Sequence, residues 1–357
     1  MLKRRLPIKT LLLGLVSFYT SCSSSEQAQQ DAMATSAEVV NLANNNFEDA
    51  AAQYKVLMAR LPQDRFPKTY HAEQDELEIS GSDWWCSGFY PGTLLYLYEE
   101  TKDQALYDEA MRIMQVLEKE QYNTSTHDLG FMMFCSFGNA NRISPKPEYK
   151  QILLNSAKSL SSRYNPQVKA IRSWDSAPED FLVIIDNMMN LELLFWATKE
   201  SGDSTYYDIA VTHANTTMEH HFRPDYSTYH VINYNPNTGA VTQKKTAQGA
   251  ADESAWARGQ AWGLYGYTVM YRETKDEKYL EQAQHIADFL LNHENMPQDK
   301  IPYWDFNAPN IPNAKRDASA AAIIASAFLE LSKYSDEEKS QHYFSTAETI
   351  LQNLVPL

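Results

Sequence analysis

Along most of the chain, apolar residues recur every three to four positions, the period of a helix rather than the alternation of a strand. This pattern predicts two kinds of helix. Segments 88–101, 128–142, 186–201, 256–274 and 317–334 are apolar, small or aromatic almost all round. Segments 38–60, 104–120, 148–164, 204–220, 277–294 and 337–354 carry an apolar stripe and a charged face. Helices that are apolar on every side are buried, and amphipathic ones shield them. The first set is therefore inner and the second outer, with no convincing run of strands between them. Because the two kinds alternate strictly, the inner helices run parallel to one another.

A weak internal repeat supports this arrangement. Glu100-Thr101-Lys102-Asp103, Glu200-Ser201-Gly202-Asp203 and Glu273-Thr274-Lys275-Asp276 each close one helix. Each is followed by Tyr107, Tyr207 or Leu280 and then by Ala110, Ala210 or Ala283, at matching offsets. The unit reads as a helix, a tight turn and a second helix capped by the Asp. Repeated helical hairpins imply a solenoid or a closed toroid. An (α/α)6 toroid needs six helices of each kind, whereas the pattern supplies five inner and six outer. The expected fold is thus an all-α (α/α)6 toroid, a six-hairpin barrel over residues 38–357, truncated at its C-terminal end and lacking its last inner helix. Such a gap is expected to expose Leu94, Leu95, Ile323, Ile324 and Phe328.

The first residues follow a different pattern. Lys3, Arg4, Arg5 and Lys9 precede a short apolar run from Leu11 to Tyr19. That run is too short to span a bilayer and reads as a secretory signal over residues 1–21. Thr20-Ser21-Cys22 resembles a bacterial lipobox, in which Cys22 becomes the lipidated mature N-terminus. Tyr19 departs from the usual aliphatic residue, so a plain signal peptide is the alternative. Residues 22–37, rich in Ser, Gln and Ala, are expected to form a flexible tether. The protein is expected to be exported, either held to a bacterial membrane through its lipid or free in the periplasm.

With 357 residues, 43% of them hydrophobic, the chain can bury a large core. Cleavage before Cys22 removes four positive charges and no acid, taking the formal charge from −15 to −19. So acidic a protein does not hold nucleic acid or a long polyanion by its general surface. A small anionic ligand needs a locally basic pocket. The 22 Tyr, 14 Phe and 7 Trp mostly serve packing, and the remainder suit the C–H faces of sugars. Cys86 and Cys135, beside Trp85 and Phe134, are expected to be free buried thiols.

Candidate chemistry gathers where inner helices begin. The segments are Asp83-Trp84-Trp85, His127-Asp128-Leu129-Gly130-Phe131, Ile185-Asp186-Asn187 and Trp256-Ala257-Arg258-Gly259-Gln260-Ala261-Trp262. Parallel inner helices place these first turns on one rim, gathering carboxylates, indoles and an arginine into a pocket suited to a sugar. Asp186 lies between Phe181-Leu182-Val183-Ile184-Ile185 and the apolar stretch from Leu191 to Trp196. Desolvation there raises a carboxyl pKa and prepares it to donate a proton near neutrality. Asp is also a favoured helix N-cap, and Asp128 carries the same ambiguity. Two such acids on one rim favour chemistry. His230 alone is a weak signal. His220-His221 ends an outer helix, where positive charge suits the dipole, and has no catalytic role. No metal-ligand, phosphate-loop, dinucleotide or nucleophile-elbow motif occurs, and neither a metal nor a cofactor is expected.

The last three of these segments, with Gln248-Gly249 and Tyr303-Trp304-Asp305-Phe306, resemble the unsaturated glucuronyl hydrolases of glycoside hydrolase family 88 in colinear order from about residue 40 to 355. The resemblance implies an (α/α)6 barrel that removes a Δ4,5-unsaturated uronic acid from the non-reducing end of lyase-generated oligosaccharides. The implied reaction hydrates the vinyl ether. Asp186 matches the acid/base that protonates C4 and then helps water attack C5, and Asp128 matches its partner carboxylate. The retaining or inverting carboxylate spacing has no bearing, since attack is not at the anomeric carbon. Trp85 and Trp174 match aromatic walls, while His230, Thr246, Gln248, Trp256, Arg258 and Trp262 match substrate contacts. Arg258 would supply the positive charge that an acidic sugar needs. Ala247 departs from the histidine of some members. An unsaturated rhamnogalacturonyl hydrolase and a non-catalytic glycan-binding lipoprotein remain the alternative readings.

Overall fold

The computed structural model describes residues 23–354, so the signal segment 1–21 and the lipidation candidate Cys22 lie outside it. The described residues divide into two units between Leu42 and Ala43. The boundary falls within α1 (Ser23–Arg60). From Ser23 onward the backbone of the segment expected to be a tether is helical, consistent with the strong helix-forming tendency of Ala, Gln, Glu and Met.

In unit 43–357 the predicted alternation holds. Beyond α1, the outer helices are α3 (Gln104–Leu117), α5 (Pro147–Ser161), α7 (Ser204–His220), α9 (Glu277–Asn292) and α11 (Glu337–Leu354). The inner ones include α2 (Phe89–Thr101), α8 (Ala257–Thr274) and α10 (Ala318–Leu331). Two more inner helices begin irregularly. A π-helical segment, Gly130–Gly138, leads into α4 (Asn139–Ile143), and a 3-10 segment, Ile185–Asn190, leads into α6 (Leu191–Ser201). Gly130 is required where they meet, because a Cβ there would lie 2.5 Å from the Asn190 Cα. The protein is an α/α toroid, whose described residues contribute five inner helices.

The repeated turn is built as its residues imply. Lys102, Gly202 and Lys275 adopt left-handed φ values of 61°, 77° and 59° and end α2, α6 and α8. Asp103, Asp203 and Asp276 then cap the next helix by accepting from the backbone N–H groups of Ala105, Thr205 and Lys278. The hydroxyls of Thr101, Ser201 and Thr274 complete the device. Each donates to a carbonyl one turn back and accepts the N–H of the capping Asp.

Two expectations are overturned. Leu94, Leu95, Ile324 and Phe328 are buried rather than exposed, and Ile323 is half-buried. Outer helices cover this face; Tyr343 of α11, for instance, stacks on Phe328 with centroids 5.2 Å apart. The faces of α2 and α10 left to solvent instead carry Tyr96 and the small residues Ala318, Ala322 and Ser326. Cys86 and Cys135 are free as expected, but only partly buried.

The absence of strands is also corrected. β1 (Phe66–His71) and β2 (Glu76–Ser80) form a hairpin, and β3 (Tyr164–Asn165) pairs with β4 (Ala170–Ile171). β5 (Phe181–Ile184), β6 (Val231–Tyr234) and β7 (Val241–Lys245) form an antiparallel sheet in that order. These segments are too short to show a period, and β5 reads in sequence as an apolar approach to a helix. The sheet matters for the site. Ile184 pairs with Val231, and the Ile185 N–H donates to the His230 carbonyl at 3.1 Å, so Asp186 and His230 leave the sheet side by side.

Candidate active site

A cleft of about 530 Å3 opens where the inner helices begin, and Trp84, Trp85, Asp128, Trp174, Asp186 and Arg258 are among its lining residues. The rim inferred from helix parity therefore exists. Asp186 sits on the 3-10 segment after β5, with its side chain 13% exposed. It is not a helix cap: the N-cap position belongs to Ile184, and Asp186 Oδ2 has no hydrogen-bond partner. Burial, and then the neighbouring Asp128 carboxylate, push its pKa up to about 7. Arg258 and the Trp262 indole pull it partly back, although the Trp262 N–H forms no hydrogen bond.

His230 is built to leave one N–H beside that acid. Its Nδ1 accepts from the backbone N–H groups of Ala247 and Gln248 at 3.1 and 3.2 Å. Nε2 must then carry the proton, and it lies 3.6 Å from Asp186 Oδ2. Burial pushes the imidazole pKa down to about 3, so the ring is neutral. Trp256 and Trp174 hold it from two sides, at centroid distances of 4.5 and 5.9 Å. The Ala247 departure is harmless to this contact, which uses only the backbone N–H.

Asp128 stands at the start of the π-helical inner segment. Its Oδ2 accepts from the Thr126 hydroxyl at 2.7 Å, and its Oδ1 lies 3.3 Å from His127 Nε2. His127 is fully buried, and burial lowers its pKa. Thr126 and His127 line the cleft beside Asp128 and were not singled out as site residues from the sequence. Their adjacency to Asp128 in the His-Asp motif was the available signal.

Arg258 differs from expectation in that its charge is already shared. Its Nη1 donates to Asp317 Oδ2 at 2.9 Å and to Ser319 Oγ at 3.2 Å, and its Nη2 donates to Gln248 Oε1 at 3.0 Å. Its guanidinium also packs over the Trp256 ring at 4.8 Å. Asp317, which caps α10 by accepting from the Ala320 N–H, thus ties the last inner helix to the pocket. Sequence reasoning missed it because a cap and an ion-pair partner look alike.

The remaining candidates fall into two groups. Trp85 lines the cleft and packs edge-on against Phe131 at 5.5 Å, and Gln248 projects from its loop. Trp256 and Trp262 are almost fully buried, with Phe131, and form the wall behind the lining. Thr246 shapes the loop, its hydroxyl accepting from the Gly249 N–H at 2.7 Å. Buried Asp305 secures the same loop through the Ala250 N–H and the Ser254 hydroxyl. His220 and His221 stay outside the cleft lining, but not as helix-end cations: burial lowers both, His221 to about 3.

An α/α toroid with two carboxylates and an indole-walled cleft at the start of its inner helices is the architecture of a glycoside-processing enzyme. Residues 57–329 match the model of Glycosyl Hydrolase Family 88, and the chain belongs to that family as a glycoside hydrolase of the unsaturated glucuronyl hydrolase type. It is 43% identical over 354 residues to an unsaturated glucuronyl hydrolase of Formosa agariphila, covering 98% of this chain and 86% of that one. An unsaturated chondroitin disaccharide hydrolase of Streptococcus pyogenes is 32% identical over 287 residues, covering 77% and 70%. Among solved structures, an unsaturated glucuronyl hydrolase specific for heparin superposes with a TM-score of 0.84 at 47% identity, covering 88% and 84%.

Proposed function

We propose that the protein removes a Δ4,5-unsaturated uronic acid from the non-reducing end of acidic oligosaccharides by hydrating its C4=C5 double bond. The observation that carries this reading is Asp186, a buried carboxyl pushed up to about 7 with an unpartnered oxygen at the cleft. An acid poised near the working pH donates a proton most effectively. In the proposed sequence Asp186 protonates C4, and the cation that forms over C5 and the ring oxygen faces the Asp128 carboxylate. Water then adds at C5 and loses its proton to the Asp186 carboxylate. The hemiketal opens, and the glycosidic oxygen leaves with the aglycone, giving an open-chain keto sugar. Neutral His230 supports the ionised form of Asp186 in mid-reaction by pointing its Nε2–H at Oδ2. The indoles of Trp85 and Trp174 flank the sugar ring, and Arg258 with Gln248 receives its carboxylate.

The test is loss of the conjugated-uronate absorbance from lyase-generated disaccharides. Heparin-derived ones come first, because the solved relative at 47% identity is described as specific for heparin. Binding without absorbance loss would favour a glycan-binding role, and turnover confined to rhamnogalacturonan-derived disaccharides would favour the rhamnogalacturonyl reaction. Export with lipidation at Cys22 belongs to the same proposal, since it is supported by the basic and apolar leader. A Cys22→Ser variant that still takes up labelled fatty acid would reject it.

A further inference from the structure

A second cleft, of about 440 Å3, has Thr124, Arg163, Tyr164, Arg172, Asp175 and Phe181 in its lining. It shares the stretch 172–175 with the active cleft, to whose wall Trp174 belongs. Ten arginines fall within the described residues, and nine have a carboxylate oxygen within 4.0 Å. Arg172 is the exception. In so acidic a chain, an arginine left without a carboxylate needs a reason.

The surroundings hold Arg172 in place without consuming its charge. Its backbone N–H donates to the Arg163 carbonyl at 3.0 Å, and its own carbonyl accepts from Arg163 Nε at 2.9 Å. Its guanidinium lies over the ring of buried Phe181, 4.7 Å from the centroid, a stack that fixes the plane of the fork. Arg163 is committed elsewhere, to the carbonyls of Thr124 and Ser173 and to Asp175 at 2.9 Å. That pairing also neutralises Asp175, the one carboxylate of the lining. One oriented guanidinium therefore remains, and planar forks of this kind suit carboxylate and sulfate oxygens.

We propose that this cleft is a second oxyanion site, in which Arg172 receives a carboxylate or sulfate group of an acidic oligosaccharide. It rests on the acidic-oligosaccharide reading above but concerns a part of the ligand that does not react. Because both clefts share one backbone stretch, a chain leaving the active cleft is one source of that group, and a separate sugar molecule is the other.

The experiment compares an unsaturated disaccharide with a tetrasaccharide bearing the same unsaturated end, on the full protein and on Arg172→Met and Arg172→Lys. Loss of one charge-assisted contact at a partly exposed site should raise the tetrasaccharide KM about tenfold in Arg172→Met. The disaccharide KM should stay unchanged, Arg172→Lys should recover part of the loss, and added salt should shrink the difference. Titration calorimetry with a saturated sulfated disaccharide, which cannot be hydrated, covers the second source. A binding event on the wild type that Arg172→Met abolishes, with both KM values unchanged, assigns the site to a separate molecule. Unchanged KM values together with an unchanged isotherm overturn the proposal. If wild type fails to turn over the unsaturated disaccharide, it is the functional reading that fails, and the calorimetry still decides the site.

Discussion

The two ends of the inner helices are built on opposite principles. At their C-terminal ends, one turn is used three times, with left-handed Lys102, Gly202 and Lys275 followed by capping Asp103, Asp203 and Asp276, all with their hydrogen bonds made. Charge is matched there as well. Arg272 bridges Glu273 and Glu330 at the ends of α8 and α10 and reaches Glu192 in the first turn of α6. At the N-terminal ends, two of the five helical starts are π or 3-10, and Asp186, His127, His230 and Trp262 each keep a buried polar atom without a partner. The capped and charge-paired end holds the ring together. An unsatisfied one keeps stored interaction energy for a ligand and its transition state, which is where catalytic preference must reside.

The largest expected contrast comes from Asp186→Asn. Activity should fall by about 10²–10⁴-fold or more, since one group serves both proton transfers. Stability should move the other way. The folded pKa of Asp186 is raised above its unfolded value, so wild-type stability is lost as pH rises from about 4 through about 7. Melting at pH 8 should therefore show the variant to be the more stable by about 2–4 kcal/mol, with no difference at pH 3. For the same reason, wild-type kcat/KM should decline as pH rises through about 7. A variant that keeps most of its activity would remove Asp186 from the chemistry.

At the opposite end, Arg272→Met should cost about 3 kcal/mol, because it strands three carboxylates, of which Glu192 is already raised by burial. Denaturant unfolding measures this loss. An intact stability would mean that the network is held by packing alone. Arg258→Ala should raise KM for an unsaturated uronate about tenfold, the loss of a charge-assisted contact shared with Asp317. Some stability should go with it, since Asp317 loses its ion pair. An unchanged KM would make Arg258 purely structural. Smallest is Asp276→Ala, expected to lower stability by about 1 kcal/mol with no change in kcat. A kinetic effect from that remote cap would break the division between the two ends.

Much of this contrast was legible in the residues. The repeat of turn, capping Asp and buried Ala names the lower end almost completely, because caps and left-handed turns depend on neighbours a few positions apart. The burial of Asp186 could be read from Phe181–Ile185 and from Leu191 onward for the same local reason. The hydroxyls of Thr101, Ser201 and Thr274 were visible in the repeat, and their part became clear only with the bonds they make.

Parity of inner and outer helices, their common rim and the acids upon it were settled by the chain alone, since hydrophobic period and alternation force them wherever the chain closes into a ring. What the tertiary structure decided was every relation between residues distant in sequence. The sheet that sets His230 against Asp186 depends on pairing across 47 positions, between Ile184 and Val231, and on their neighbours. The partner of Arg258 is a residue 59 positions away, and the isolation of Arg172 appears only after every other arginine among the described residues has found its acid. Local physics writes helices and caps into short windows of sequence, whereas charge pairing and solvent exclusion belong to the packed molecule as a whole.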